Sequence, residues 1–507
     1  MRLITQLLMR ACLVLLAPAL SFAQGGIDTL NAKILQSPAM QADFTYLRKA
    51  LEETHPGLYR YVPKADMTRK MDSLYARLDG PLPYWSYYAM LSSLIGEIRC
   101  AHTFMVPTEN TNGFLNQARV FPFTIWFVNA DQACVVLNRS GDTTLRPGYE
   151  LLSINGESMQ SIKERLWLHA WADGHIESAR RYRMSNDMFM LLYYMIIGRP
   201  EKFVVEALDA GGKPVRVEVP ALVYANTGKL LMKNPVNQQL LKAELPAEKK
   251  RGRQPWQLEI LKDVPAAKLT ITSFGGKSGP DFKKRFGRFL EKSFRELKEK
   301  NVSNLIIDLL SNGGGYDAGG VVLFSYLIRK PTRYYGRQHT VTDGSSTYLR
   351  FADVSAEDIA NEKKGMVREE DGTYTLKRDF DQAVMPNPNG YTGKVYFLVN
   401  GLSGSTTAEF TAAAHYNKLG TFIGEETGGA YCGGNGSSFI HLTLPHSKIY
   451  VNIPLVYYQM AVEGDCAAGR GTMPDYPVTL KPSIFYDSKN PWEVVKDLIK
   501  GQAVKQD

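Results

Sequence analysis

The stretch NLIIDLLSNGGGYDAGG (residues 304–320) reads as a buried strand that ends in a glycine turn and runs on toward a helix. Its apolar run does not alternate, which is the pattern of a strand covered on both faces. Three successive glycines, Gly313 to Gly315, permit positive backbone torsions and leave a bare, closely approachable row of N–H groups. Such a row suits a phosphate or an oxyanion. It is not a P-loop, because no Gly-Lys-Ser/Thr follows. Taken alone, the turn could equally be a tight corner with no ligand.

The flanking segments repeat this rhythm. Upstream, AKLTITSF (267–274) is strand-like and PDFKKRFGRFLEKSFRELKEKN (280–301) is a long amphipathic helix. Downstream come the helix-like VVLFSYLI (321–328), the strand VYFLVN (395–400) and the turn NGLSGSTTAEF (400–410), which opens another helix. The strand TFIGEE (421–426) and the turn TGGAYCGG (427–434) follow. Strands alternating with helices predict a layered α/β core with largely parallel strands, whose functional groups gather at the strands' C-terminal ends. The serine turn offers four hydroxyls there: Ser403, Ser405, Thr406 and Thr407.

In this order, the glycine turn, the serine turn, GEETGG (424–429) and GRGTMPDYPV (469–478) resemble the motifs of the C-terminal processing, or tail-specific, serine protease family. The likeness is strongest from Lys268 to Val478. It implies a Clp-protease/crotonase-like layered core, no metal and no cofactor, and peptide or protein substrates. In the family's best-known branch a lysine activates the serine, but the matching position here is Ala430. The chain is nearer the Ser/His branch, similar to tricorn core and interphotoreceptor retinoid-binding repeats. In that branch the base is a histidine in a His-Thr context, which CAHTFMV (100–106) supplies as His102. A histidine suits this role because its ordinary pKa lies near neutrality.

The nucleophile's register has two readings. Counting from Asn400 it falls on Ser405; counting back from Glu409 it falls on Thr406, because the turn carries one extra residue. The less hindered primary hydroxyl favours Ser405, leaving Thr406 to lend its N–H to an oxyanion with Gly314 or Gly315. Ser403 and Thr407 read as turn and capping residues. The branch's orienting glutamate falls on Ala468, so Glu463 and Asp465 stand as candidate orienting acids. Two other readings remain: a catalytically inactive peptide- or apolar-ligand-binding protein on the same fold, and an acyl-CoA enzyme sharing the core architecture.

Upstream, helical periodicity runs from Met40 to about Ile98, with His55 before a Pro-Gly break as a packed or capping histidine. From Phe121 short β-like pieces take over, and RPGYELLSINGES (146–158) resembles the turn and strand of a PDZ domain, a module that binds peptides along a sheet edge. The expected organisation is a signal peptide (1–23), an N-terminal helical region (24–116), a PDZ-like domain with a helical insertion (117–222), a polar connector (223–255) and a catalytic core (256–500).

The start of the chain supports export. Two arginines precede an apolar run that ends in Ser21-Phe22-Ala23, the small-residue pattern of a cleavage site. The expected location is soluble in the periplasm or cell envelope, with no integral membrane segment after cleavage. The net charge of +9 is scattered, and no reader motif accompanies it, so a nucleic-acid partner is not expected. Four cysteines follow the leader, and Cys432 with Cys466, both in the C-terminal segment, is the favoured bridge.

Overall fold

The alternation read from residue 256 onward is present in the computed structural model, which describes residues 27–108, 115–129, 132–238, 240–242, 255–275, 281–376, 382–479 and 490–501. The expected signal segment and residues 243–254 of the expected connector lie outside the described residues. Helices α1 (Ser37–Thr54), α2 (Lys64–Ala76) and α3 (Tyr84–Glu97) form the N-terminal region. His55 is the C-cap residue of α1 and is buried. The short strand β1 (Phe104–Val106) follows.

An antiparallel sheet comes next, built from β2 (Phe123–Phe127), β3 (Ala133–Asn138), β4 (Glu150–Ile154), β5 (Lys202–Leu208) and β6 (Pro214–Pro220). Its order is β6-β5-β4-β3-β2. Between β4 and β5 run helices α4 (Met159–Leu166), α5 (Glu177–Met184) and α6 (Asn186–Leu192), the last continuing as one π-helical turn. The outer edge of β2, where a peptide could add as a strand, is met by this insertion. Ile125 bridges Asn186, and the Phe127 N–H donates to Ser185 Oγ at 3.1 Å.

The expected polar connector begins instead as structure. Leu222–Val223 pairs with Arg119–Val120, and α7 (Tyr224–Lys233) folds back on the sheet. The reason is hydrophobic: Leu231, Leu240 and Leu241 bury against Trp126, Val136 and Leu137.

The core sheet is six-stranded, ordered β7-β8-β9-β11-β12-β15. Its members are β7 (Trp256–Ile260), β8 (Ala267–Ile271), β9 (Asn304–Asp308), β11 (Lys394–Val399), β12 (Thr421–Gly424) and β15 (Tyr476–Pro477). Only β7 runs antiparallel to its neighbour. Helix α8 (Phe282–Glu299) covers one face with Phe282, Phe286, Leu290, Phe294 and Leu297. Each such burial stabilises by about 1.5–3 kcal/mol before entropy. Helices α9 (Asp317–Ser325) and α10 (Thr406–Tyr416) spring from the glycine and serine turns.

A second core sheet, which the sequence reading missed, carries β10 (Tyr335–Thr340) and the long hairpin β13 (Gly433–Thr443) and β14 (Tyr450–Met460). Gly433, Gly434 and Gly436 weaken the strand signal at the start of β13. Strand β1 from the N-terminal region joins this sheet, pairing Phe104, Met105 and Val106 with Asn452, Val451 and Tyr450. Cys432 and Cys466 form the disulfide, with Cα atoms 5.4 Å apart, while Cys100 and Cys134 are free and buried.

Candidate active site

The two turns at the ends of β9 and β11 are stitched together by Asn400. Its Oδ1 accepts from the Ser311 N–H at 2.9 Å, and its Nδ2 donates to Ser311 Oγ at 3.0 Å. The Gly404 N–H donates to the Asn312 carbonyl at 3.1 Å. Gly314 is obligatory at this junction. It has φ +97°, and an added Cβ would lie 2.6 Å from Ser405 Cβ and 2.9 Å from Thr406 N. The closing motif clasps the same edge: Glu426 takes both Arg470 Nε and Nη2 at 2.7 Å, and the Gly471 N–H at 2.8 Å.

Ser405 precedes α10 with φ 52° and ψ −134°, a conformation a side chain adopts only at a cost of about 1–3 kcal/mol. A sharp, strained strand-to-helix turn of this kind holds a serine hydroxyl out at a sheet end. Of the four hydroxyls in the turn, Ser405 alone lines the adjoining cavity. Thr406 is buried and its Oγ1 donates to the Gly315 carbonyl at 2.9 Å. Ser403 is a turn residue whose Oγ donates to the Leu309 carbonyl at 2.9 Å, and Thr407 is buried in the first turn of α10 rather than capping it.

His102 lines the same cavity. Several contacts bring it there. The Asn452 side chain on β14 donates to the His102 carbonyl at 2.9 Å, and the ring stacks on Phe439 with centroids 5.9 Å apart. The next residue, Thr103, is held by His55. The Gly57 N–H donates to His55 Nδ1 at 3.0 Å, so Nε2 carries the ring proton and donates to Thr103 Oγ1 at 2.6 Å. Burial lowers the His55 pKa to about 4, which keeps that ring neutral.

The acid beside His102 comes from a segment the sequence reading passed over. Asp173, in the loop before α5, is buried and lines the cavity. Its Oδ1 accepts from the Ala101 N–H at 2.7 Å. The loop is pinned on both sides, the Gly174 N–H donating to the Arg99 carbonyl at 2.9 Å and the His175 N–H to the Gly469 carbonyl at 2.8 Å. Burial lowers the His102 pKa, and the Asp173 charge works against that shift. No motif in the sequence marks Asp173.

Glu463 and Asp465 are placed elsewhere. Both are exposed. Glu463 bonds Tyr416 at the far end of α10, ~16 Å along the helix from Ser405 at 1.5 Å per residue. Asp465 Oδ1 accepts from the Ala467 and Ala468 N–H groups within its own loop.

The glycine turn is also more selective than expected. The Gly314 N–H is already donated to Asn312 Oδ1 at 3.0 Å. Gly315 lies in a bridge with Phe274, whose bonds are made by Gly314 and Tyr316; the Gly315 carbonyl faces the opposite edge, toward Thr406. Thr406, as the first residue of a helix, has an N–H with no intrahelical acceptor. Ala430 also lines the cavity.

Residues 266–478 match the model of peptidase family S41, and the chain carries a domain of that family. Its class is that of a serine-type peptidase, a hydrolase acting on peptides. Among solved structures the chain is similar to mature CPAF, with 15% identity, TM-score 0.61, and coverage of 92% of this chain and 99% of that one. Mature CPAF complexed with lactacystin gives 15% identity, TM-score 0.60 and the same coverage. The photosystem II D1 C-terminal processing protease is more distant, at 13% identity and TM-score 0.41, covering 88% of this chain and 94% of that one. At these identities the likeness to CPAF speaks for the fold. No curated protein matches the chain by sequence. Among the described residues no helix is long and apolar enough to cross a membrane.

Proposed function

We propose that the chain is an exported endopeptidase of the Ser/His kind, with Ser405 as nucleophile and His102 as general base. The observation that carries this reading is that these two residues, from opposite ends of the chain, line one cavity with Ser405 held in a strained turn. Ser405 Oγ attacks the scissile carbonyl while its proton passes to His102, and the Gly315 and Thr406 N–H groups receive the oxyanion. His102 then returns the proton to the leaving amine as the C–N bond breaks. Water, deprotonated by the same ring, releases the acyl group. Asp173 is the positioning residue: it holds the backbone beside His102 and favours the imidazolium formed in each step. The depressed pKa of His102 keeps the ring unprotonated, and so ready to accept a proton, at neutral pH.

Export is supported by the leader-like residues 1–23 and by the Cys432–Cys466 disulfide, which suits an oxidising compartment such as a periplasm. Binding without catalysis is the second reading, favoured by Ala430 at the position of the other branch's base. The deciding experiment is digestion of a mixed peptide library by residues 24–507, read by mass spectrometry beside Ser405→Ala and Thr406→Val. Cleavage lost in Ser405→Ala and kept in Thr406→Val supports the assignment. Cleavage kept in Ser405→Ala overturns it, and no cleavage by the wild type hands the lead to the binding reading.

A further inference from the structure

Helix α8 has two sides of different construction. Its core side buries Phe282, Phe286, Leu290, Phe294 and Leu297. Its solvent side begins with Lys283, Lys284 and Arg285 in the first turn and continues with Arg288 and Lys292, all exposed. Among the described residues none of these five side chains has a hydrogen bond or ion pair, and Asp281 just before the helix pairs with none of them. Lys284, Arg288, Lys292 and Arg295 recur at steps of three and four residues. They form one stripe opposite the core, about 16 Å long at 1.5 Å per residue.

The second half of the same helix follows the opposite rule. Glu291 pairs with Arg295 at 3.3 Å and Glu296 with Lys300 at 2.7 Å, in the four-residue order that supports a helix. In the first half, Lys284, Arg288 and Lys292 set like charges four residues apart, and the first turn has no acidic residue. Both arrangements oppose the helix. Like charges repel at that spacing, and cations in the first turn meet the positive end of the helix dipole. A helix supported by its charges in one half and opposed by them in the other has a reason outside itself for that second pattern. An anionic partner supplies one, because it relieves the repulsion that the chain leaves uncompensated.

Aromatic rings flank the stripe. Trp256 and Phe289 are half-buried with ring centroids 5.9 Å apart, and Tyr316, 50% exposed, stacks on Phe282 at 4.9 Å. Basic side chains beside such rings suit the headgroup level of a bilayer. Tyr316 also stands between Gly315 and Asp317, which line the cavity beside Ser405, so this surface adjoins the rim of the site.

We propose that the basic half of α8 docks the protein on an anionic lipid surface, with Lys284, Arg285, Arg288 and Lys292 against the headgroup phosphates. The leader-like residues 1–23 favour lipid over nucleic acid as the source of those phosphates, because an exported chain meets membrane surfaces. Docking through this face brings the cavity rim toward the bilayer, within reach of chain segments that leave it. Lipid binding is independent of whether the site cleaves peptides.

The test is sedimentation of residues 24–507 with vesicles of phosphatidylcholine alone, or of phosphatidylcholine and phosphatidylglycerol in equal parts. We expect retention on the anionic vesicles only, weakening as salt rises. Lys284→Glu and Lys292→Glu combined should lower the apparent affinity at least about thirtyfold. This variant should melt no lower than the wild type, since it places an acid in the first turn and sets Glu beside the retained Arg288. Lys363→Glu and Lys364→Glu combined, an equal change of net charge on the exposed helix Ala356–Gly365, should lower affinity far less. Peptide cleavage in solution should be unchanged in both variants, so failure of lipid docking and failure of the peptidase reading are told apart. Equal retention on neutral and anionic vesicles, no retention on either, or equal losses in the two variants overturns the proposal. A DNA duplex held more tightly than the anionic vesicles assigns the face to nucleic acid and overturns it as well. Should a variant fail to fold, the wild-type vesicle series decides alone.

Discussion

The serine turn and the histidine loop meet at one cavity but are held there by different means. Ser405 is placed by its immediate neighbours: the end of β11, the start of α10, and the glycine turn of the adjacent parallel strand β9. His102 is placed by distant ones. Its loop is fixed by pairing of β1 with β14, by His55 through Thr103, and by Asp173 from the insertion before α5. The first half is a local strand–turn–helix device, whereas the second is assembled from several regions and depends on all of them being folded. The contrast teaches where each half is vulnerable. Changes of backbone space break the serine half, and changes of remote polar contacts loosen the histidine half.

The strongest way to break the comparison is to remove both actors. Ser405→Ala and His102→Ala are each expected to lower kcat/KM on a cleaved peptide by roughly a thousandfold or more, and the double variant to fall no further than the worse single one. Additive losses would mean that the two do not act as a unit. Next in size is Gly314→Ala, where a Cβ 2.6 Å from Ser405 Cβ at φ +97° should destabilise the fold by about 2–4 kcal/mol in urea titrations. Gly228→Ala in α7 is the matched control. Nothing lies within 4 Å of its added Cβ, so it should be neutral or stabilise by up to about 1 kcal/mol.

Asp173→Asn sharpens the histidine side of the contrast. It should lower kcat about ten- to a hundredfold with little change in KM. The acidic limb of the pH profile should also move to lower pH, because Asp173 raises the His102 pKa against burial and Arg183. A limb that stays put would reduce Asp173 to a backbone prop. The smallest effect concerns Glu409, whose carboxyl lies near 8 in the folded chain against an ordinary 4.5. The stability linked to its proton is fully present below about pH 4.5 and is lost as pH rises through 8. Glu409→Gln should therefore flatten the fall in Tm over that window, as thermal melts at successive pH values would show.

Much of the core was legible because its signals are local. The continuous apolar run within Asn304 to Asp308, the four-residue spacing of Phe282, Phe286, Leu290 and Phe294, and the glycine and serine turns all read directly onto β9, α8 and the strand ends. The disulfide followed from where its cysteines fall. The β13–β14 hairpin was not legible, since glycines dilute its first strand, nor was α7, whose leucines sit in a polar run. The orienting acid was sought near the closing motif, at Glu463 and Asp465, because sequence proximity was the only guide available there.

By itself the sequence determined the elements, their order, and a serine presented at a strand end, because apolar periodicity, glycine torsional freedom and turn chemistry act over a few residues. Only the tertiary structure decided which hydroxyl faces the cavity, that the Gly314 amide is already paired with Asn312, and that Asp173 is the carboxylate beside His102. Those choices rest on contacts between segments far apart in the chain, and on which polar groups are already paired when the segments meet.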